Sequence, residues 1–177
     1  MKVIETKVYE FKELSDEAKE KAKEWYRSVL EYPWFDEAND TMNKFAELVN
    51  VKIVDYSYGG LDRRGVIKFR LQNKTCSYLK GVRLWKYLIN NMRLDEVKFE
   101  TCPFTGMSFD WDISYPLNAF LKRPNKSETM YSLVDECFNS FIIAVEADVA
   151  GQYTDDAVLE AIEANEYTFT EDGQRAG

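Results

Sequence analysis

The segment SETMYSLVDECFNSFIIAVEADVA, residues 127–150, constrains the fold of this chain most strongly, because its apolar residues recur with the period of an α-helix. Spacings of three and four predict one buried face formed by Met130, Val134, Cys137, Phe141 and Val145. The opposite face is polar and carries Glu128, Ser132, Asp135, Asn139 and Glu146. A helix of this kind must pack its apolar face against other elements of a globular core.

The same periodicity predicts further amphipathic helices over residues 14–32, 34–50, 76–92 and 154–165. Ser15 and Thr154 are the expected N-caps of the first and last of these. Their expected inward residues are Ala18, Ala22, Trp25 and Val29 in 14–32; Phe35, Ala38, Met42, Phe45 and Val49 in 34–50; Tyr78, Val82, Trp85 and Leu88 or Ile89 in 76–92; and Val158 and Ile162 in 154–165. Pro116 predicts the first turn of a short helix over 116–122.

Strand signals are fewer. Residues 1–11 are rich in β-branched and aromatic residues, with Ile4, Thr6 and Val8 on one side. Residues 51–58 and 65–72 predict a β-hairpin around the turn GGLDRR, and residues 167–170 predict a terminal strand followed by a turn. Residues 94–115 predict a loop with one short strand. The expectation is an α+β fold in which a small antiparallel sheet and several packed amphipathic helices form a single domain over residues 1–177.

Charge is distributed unevenly along the chain. Residues 127–174 contain twelve acids and no lysine or arginine, whereas residues 1–126 contain 19 acids and 22 bases, a net charge of +3. An acidic stretch of this length disfavours direct nucleic-acid binding and favours a protein partner with a basic surface, by electrostatic steering.

Several chemistries are excluded by residue type. The chain contains no histidine, which removes Ser-His-Asp and Cys-His catalysis and histidine-ligated metals. Cys76, Cys102 and Cys137 are widely spaced and odd in number, which predicts buried free thiols in a reducing compartment. No signal peptide, membrane-spanning apolar run or phosphate-binding glycine motif is found, so we expect a cytoplasmic protein without cofactor or membrane attachment.

The two ends of the chain resemble a family of small phage and prophage proteins. The resemblance rests on YEFKELSDEAKEKAKEWYR near the start and IEANEYTFTEDGQR near the end, and it covers the middle only loosely. In place of the glycine-rich segment of that family, this chain has YGGLDRRG. The resemblance implies the cytoplasm of an infected bacterium and, for some members, an antitoxin label. It implies no catalytic residues.

The acidic stretch is the first candidate site. Carboxylates at helical spacing on two consecutive helices predict a surface that imitates the phosphates of a nucleic acid; its residues are Glu128, Asp135, Glu146, Asp155, Asp156, Glu160 and Glu163. The alternative is a solvated face that keeps the protein soluble. The hypothesis requires these carboxylates to point outward, unpaired with cations from the first 126 residues.

Three weaker candidates lie elsewhere. Arg63 and Arg64 at the hairpin turn, flanked by Tyr56 and Tyr58, are candidates to grip a phosphate or carboxylate, with an ordinary polar turn or pairing with the acidic half as the alternatives. Asp110 and Asp112, two apart, would share one side of a strand and could hold a divalent metal with Glu100 or Asp95, or serve as an acid–base pair. Cys102 lacks a basic neighbour that would activate its thiol.

The function expected from these observations is non-enzymatic: a phage-encoded protein that binds and inhibits a host or defence-system protein, as anti-CRISPR proteins do, through a surface that mimics nucleic acid. The first alternative is an antitoxin-like partner of a toxin that binds through an aromatic surface. The second is a carboxylate- or metal-dependent enzyme.

Overall fold

The computed structural model describes residues 7–60 and 63–176. Six α-helices and four β-strands occur within these residues: β1 Tyr9–Glu10, α1 Asp16–Val29, α2 Phe35–Leu48, β2 Val51–Gly60, β3 Arg63–Leu71, α3 Gly81–Met92, α4 Ser108–Lys122, α5 Met130–Gln152, α6 Asp155–Ala164 and β4 Thr168–Phe169. The strands form two antiparallel pairs, β1 with β4 and β2 with β3. The α+β class predicted from the sequence is confirmed.

Contacts within the chain define two compact units, and each is described by itself. The first unit consists of residues 1–32 and 149–177, and the second of residues 33–148. The single domain over residues 1–177 stays a prediction.

The first unit joins the two ends of the chain. β1 pairs with β4 through Tyr9 and Phe169, and α1 packs against α6. Both predicted N-caps are confirmed, because the Ser15 and Thr154 hydroxyls accept hydrogen bonds from the third residue after each of them. The buried core of this unit consists of Phe11, Leu14, Ala18, Ala22, Val158, Ile162 and Phe169. Of the inward residues predicted for 14–32, Ala18 and Ala22 are buried and Trp25 is half-buried. The prediction for Val29 is wrong, because Val29 is exposed at the last residue of α1. Ile4 and Thr6, predicted in the first strand, lie outside the described residues, and Val8 is exposed.

An aromatic cluster holds the end of the chain in the first unit. Trp25 meets Tyr167 and Phe169 edge to face, at centroid distances of 5.4 and 5.8 Å. The Arg175 guanidinium lies 4.8 Å from the Tyr167 ring centroid and donates a hydrogen bond to the Thr168 carbonyl. Gly173 has a φ of +84°, and a Cβ there would lie 2.9 Å from the carbonyl carbon of Ala18, so the terminal turn packs directly on α1.

The second unit is built around the β2–β3 hairpin. Its inner face packs on aromatic side chains of α5: Phe69 lies 5.3 Å from Phe138, and Tyr58 lies 5.7 Å from Phe141. The predicted apolar stripe of α5 is buried along its whole length. In α2, Ala38, Met42 and Phe45 are buried as predicted, and Val49 is buried just after the helix, whereas Phe35 at its first residue is 48% exposed.

The structure corrects the predictions for two segments of the second unit. Helix α3 begins at Gly81 rather than Cys76, so Tyr78 precedes the helix; the side chains it buries are Leu84 and Leu88, while Val82 is exposed. The loop and strand predicted over 94–115 are instead two short 3-10 helices, Leu94–Glu96 and Phe99–Thr101, followed by α4. Pro116 lies inside α4 rather than in its first turn, and it is buried.

Candidate functional site

The predicted acidic residues are divided between the two units. Glu128, Asp135 and Glu146 belong to the second unit, and the four acids of the α6 region belong to the first. Within the second unit these carboxylates are half-buried and accept hydrogen bonds from their neighbours. The donors are Ser132 Oγ for Glu128, Asn139 Nδ2 for Asp135 and the Gly65 N–H for Glu146. These three carboxylates thus have partners inside the second unit.

Asp155 is paired with cations of α1. Lys23 Nζ lies 3.0 Å from one of its carboxylate oxygens, and the Arg27 guanidinium donates to the other. The hydrogen bonds from Lys23 and then from Arg27 hold the pKa of Asp155 below its usual value. The requirement that no cation from the first 126 residues reach the acidic stretch is therefore not met at Asp155.

The remaining three acids of α6 lie on its outer face. Asp156, Glu160 and Glu163 are exposed, while Val158 and Ile162 on the inner face are fully buried, as the spacing predicts. None of the three forms an ion pair with any of the residues that the structure describes. Their charges at spacings of four and three are thus presented to solvent.

A groove of about 600 Å³ adjoins this outer face at the C-terminal end of α6. Its apolar lining is formed by Phe11, Ile162 and Tyr167, and its other lining residues are Glu10, Lys12, Glu163, Glu166 and Thr168. Three carboxylates therefore line it with one cation. That cation, Lys12, is paired with Glu10 at 2.5 Å, an interaction that raises the pKa of Lys12. Glu163 also interacts electrostatically with Lys12, so the three carboxylates of the groove face a single cation.

Arg63 and Arg64 are exposed at the start of β3, opposite Gly60 and Gly59. Within residues 7–60 and 63–176, neither arginine forms an ion pair. The contact between the hairpin and an acid of α5 is made by the Gly65 backbone rather than by these arginines. Of the two tyrosines proposed as stacking surfaces, Tyr58 is buried and donates its hydroxyl proton to Asn39, so only Tyr56 is exposed.

Asp110 and Asp112 do not form a pair. They lie two apart on helix α4 rather than on a strand, so their side chains point in different directions. Asp110 is fully buried and accepts hydrogen bonds at 2.7–3.0 Å from the Thr41 and Thr105 hydroxyls and from the N–H groups of Phe104, Thr105 and Gly106. Burial acts to raise the pKa of Asp110, but these hydrogen bonds outweigh it and leave the pKa lowered. Asp112 is half-buried, and burial raises its pKa.

The other metal and thiol candidates have ordinary structural roles. Glu100 lies 3.4 Å from Lys122, and no group of three acids or cysteines placed to hold a metal ion occurs among the described residues. All three cysteines are free; Cys76 and Cys137 are buried as predicted, and burial raises the pKa of both thiols. Cys102 is half-buried in a turn with a φ of +48°.

A second charged surface was not predicted from the sequence. Residues 63–94 contain nine lysines and arginines and no acid. This concentration of positive charge is hidden in the net charge of +3 for residues 1–126. Part of this stretch, Tyr78, Lys80 and Arg83, surrounds the beginning of α3. A charge count over shorter windows would have located it.

Among the residues described, no helix is both long and apolar enough to span a membrane. Comparisons with models of protein families, with curated proteins and with solved structures give no match.

Proposed function

We propose that the protein is a non-enzymatic, phage-encoded inhibitor that binds a host or defence-system protein through helix α6. The phage setting comes from the resemblance of the two chain ends. The partner is a protein with a basic surface, and the observation that supports it is the groove with an apolar lining and an excess of carboxylates beside the exposed acids Asp156, Glu160 and Glu163.

The groove suits a lysine or arginine side chain of the partner. Such side chains carry an aliphatic stem that packs on apolar surface and a charged head that seeks a carboxylate. The stem would lie against the half-buried ring of Tyr167, and the head would reach Glu163 or Glu166, which are exposed. Charge complementarity of this kind accelerates association and selects the partner.

The proposed nucleic-acid mimicry is confined to α6. Acids at spacings of four and three place successive negative charges about 5–6 Å apart on the helix, whereas the phosphates of one DNA strand recur about every 3.4 Å along the helix axis. The acids of the second unit accept hydrogen bonds from their own neighbours, so they do not support the proposal.

The test is charge reversal of the outer face. Bacteria carrying a panel of defence systems are infected with phage while they express the wild-type protein or the variant Asp156→Lys/Glu160→Lys/Glu163→Lys. We expect the wild type to restore phage plating against at least one system and the variant to lose this effect while remaining folded.

The matched control reverses three exposed acids of the same unit that are not part of α6, Glu24→Lys/Glu31→Lys/Glu171→Lys. It makes the same change in net charge and should keep the effect. Full activity of the α6 variant, or no effect of the wild type against any system, would contradict the proposal.

An antitoxin-like role is the second candidate, favoured by an exposed aromatic pair on α4. Trp111 and Tyr115 lie 5.9 Å apart and are 40% and 56% exposed. Such a pair is typical of the anchors by which a protein binds another protein. Co-expression with each neighbouring open reading frame tests this role, since an antitoxin must relieve the toxicity of one of them, and Trp111→Ala/Tyr115→Ala should abolish that relief.

A further inference from the structure

A basic hollow of about 420 Å³ lies at the beginning of α3 in the second unit. Its lining residues are Tyr78, Lys80, Gly81, Val82, Arg83 and Lys126, and none of them is acidic. The hollow therefore presents three cations and one aromatic ring.

The fold brings Lys126 to this place from a distant part of the sequence. Lys80 forms an antiparallel bridge with Thr129, and the Gly81 N–H donates to the Glu128 carbonyl at 3.0 Å. A Cβ at Gly81, whose φ is +53°, would lie 2.9 Å from Lys126 Cα. Backbone contacts thus fix the segment of Lys126 beside α3, so the grouping of the cations does not depend on flexible side chains alone.

The three cations have no acidic partner. Three other cations of the second unit, Lys68, Arg93 and Lys122, form ion pairs with carboxylates, and Lys68 lies 2.8 Å from Asp55. Lys80, Arg83 and Lys126 form no ion pair with a described residue, and the nearby Glu128 carboxylate accepts from Ser132 Oγ. Protein surfaces usually mix charges of both signs, so an acid-free group of cations is placed to receive an anion from outside.

Tyr78 adds a flat apolar surface to these cations. It is 85% exposed, the highest exposure among the large hydrophobic side chains that the structure describes. Stacking of a nucleobase on an exposed aromatic ring, next to lysines and arginines that contact phosphates, is the common mode of binding to single-stranded nucleic acid.

We propose that this basic hollow binds single-stranded nucleic acid, with Lys80, Arg83 and Lys126 on the phosphates and Tyr78 stacked on a base. A duplex offers no unstacked base for the ring, and an acidic protein segment is distinguished from single-stranded nucleic acid by comparison with polyglutamate. The sequence prediction of no direct nucleic-acid binding was based on the acidic stretch 127–174, and the lining of the hollow lies outside that stretch.

The binding is tested by fluorescence anisotropy of the full chain with labelled oligo-dT and oligo-U of about 15 nucleotides. We expect binding whose affinity falls with salt between about 50 and 200 mM, with a log–log slope near −2, because three phosphate contacts each contribute about −0.7. Comparison of the two oligomers shows whether DNA or RNA is preferred. No binding to either oligomer at the lower salt would overturn the proposal.

Three variants locate the site. Tyr78→Ala should weaken binding about 5- to 150-fold, whereas Tyr78→Phe, which keeps the ring, should bind like the wild type. Lys80→Ala/Arg83→Ala/Lys126→Ala should remove most of the salt dependence. The matched control, Lys52→Ala/Arg64→Ala/Arg70→Ala, removes three exposed hairpin cations with the same change in net charge and should keep the affinity within about twofold.

Other outcomes assign the hollow to a different partner and overturn the proposal. If the hairpin control lost as much affinity as the variant of the hollow, the attraction would be due to overall charge. If Tyr78→Ala bound with wild-type affinity, no base would stack on Tyr78. Equal binding of a duplex, or tighter binding of polyglutamate than of either oligomer, would indicate a general polyanion or an acidic protein instead.

Discussion

The two compact units differ most in their net charge and in the size of the side chains in their buried cores. The first unit contains 15 acids and 8 bases, a net charge of −7, while the longer second unit contains 16 acids and 15 bases, a net charge of −1. The core cluster of the first unit contains seven buried residues, of which three are alanine or valine. The second unit has large buried aromatic side chains at its centre, including Phe45, Phe138 and Phe141.

The difference places most of the net negative charge of this protein in the first unit. A strongly charged unit with a small core is destabilised by self-repulsion, and the first unit offsets part of it by pairing Asp155 with Lys23 and Arg27. It leaves Asp156, Glu160 and Glu163 unpaired among the described residues, even though α1 carries other lysines. These three acids lie together on the exposed face of α6, and it is this grouping that favours the proposed role in binding.

The largest expected effect is the loss of an aromatic side chain from the small core. Phe169→Ala removes a fully buried ring that contacts Phe11 and Trp25, and it should cost about 3–5 kcal/mol of unfolding free energy. Hydrogen exchange should show protection lost in residues 7–32 and 149–176 and retained in 33–148. Phe141→Ala, in the core of the second unit, should instead remove protection in residues 33–148 and retain it in residues 7–32 and 149–176. Equal loss of protection throughout in either variant would contradict the distinction between the units.

Asp110 should be the most important single carboxylate of the second unit. Asp110→Ala leaves buried hydroxyl and N–H donors without an acceptor and should lower the unfolding free energy by about 2–4 kcal/mol in urea titrations. Asp112→Ala, two residues away on the same helix, should have little effect at neutral pH, because burial disfavours its charged form.

The pH dependence of the Asp110 effect follows from the sign of its pKa shift. A carboxyl whose pKa is lowered by folding contributes stability above its unfolded pKa of about 3.9 and loses it as the pH falls through the folded value. The difference between the wild type and Asp110→Ala should therefore be constant from about pH 5 to 7 and shrink below about pH 4. A difference that grows on acidification would contradict the assignment.

The N-cap of α6 should have an intermediate effect. Thr154→Ala removes the hydroxyl that accepts from the Ala157 N–H and should cost about 1 kcal/mol by thermal or urea unfolding, whereas Thr154→Ser keeps the acceptor and should be nearly neutral. Since α6 carries the proposed binding face, the alanine variant also shows whether the proposed inhibition depends on a fully formed helix. No measurable loss of stability would mean that the cap is replaced by water.

The smallest effect concerns the ion pair between α1 and α6. Lys23→Ala should raise the pKa of Asp155 toward its ordinary value, measured by NMR titration of the carboxyl group, while Lys21→Ala, which removes the partner of Glu17, should leave it unchanged. The stabilisation by this pair is present at neutral pH and is lost as the pH falls through the folded-state pKa of Asp155. An unchanged pKa in Lys23→Ala would show that the pair is not formed in solution.

Local pattern predicted the elements whose burial follows from spacing alone. The stripe of α5, the N-caps Ser15 and Thr154, and the inward residues of α6 were all identified in this way. The prediction failed at α4, where Phe, Trp and Asp alternate like a strand and Pro116 suggested a helix start. Tertiary packing overrides both signals, because α4 buries residues from Phe109 to Phe120 against the rest of the second unit.

The candidate sites depended on tertiary structure to a greater extent than the helices and their N-caps did. Sequence spacing placed Asp156, Glu160 and Glu163 on one exposed face, but it could not show that Asp155 pairs with Lys23, which is distant along the chain. It also could not show that Lys126 lies beside Arg83. In both contacts the chain between the two residues has to bring them together. Loop closure of this kind is not reflected in the periodicity of the residues that it joins.

The amino-acid order by itself determined that this chain forms amphipathic helices with a hairpin, that histidine chemistry is absent, and that negative charge collects near its end, because these properties follow from residue type and local spacing. Only the tertiary structure decided which carboxylates are paired, which are exposed and which cations are left without an acid. Those outcomes depend on distances between residues far apart in sequence, and electrostatic energy is set by distance and exposure.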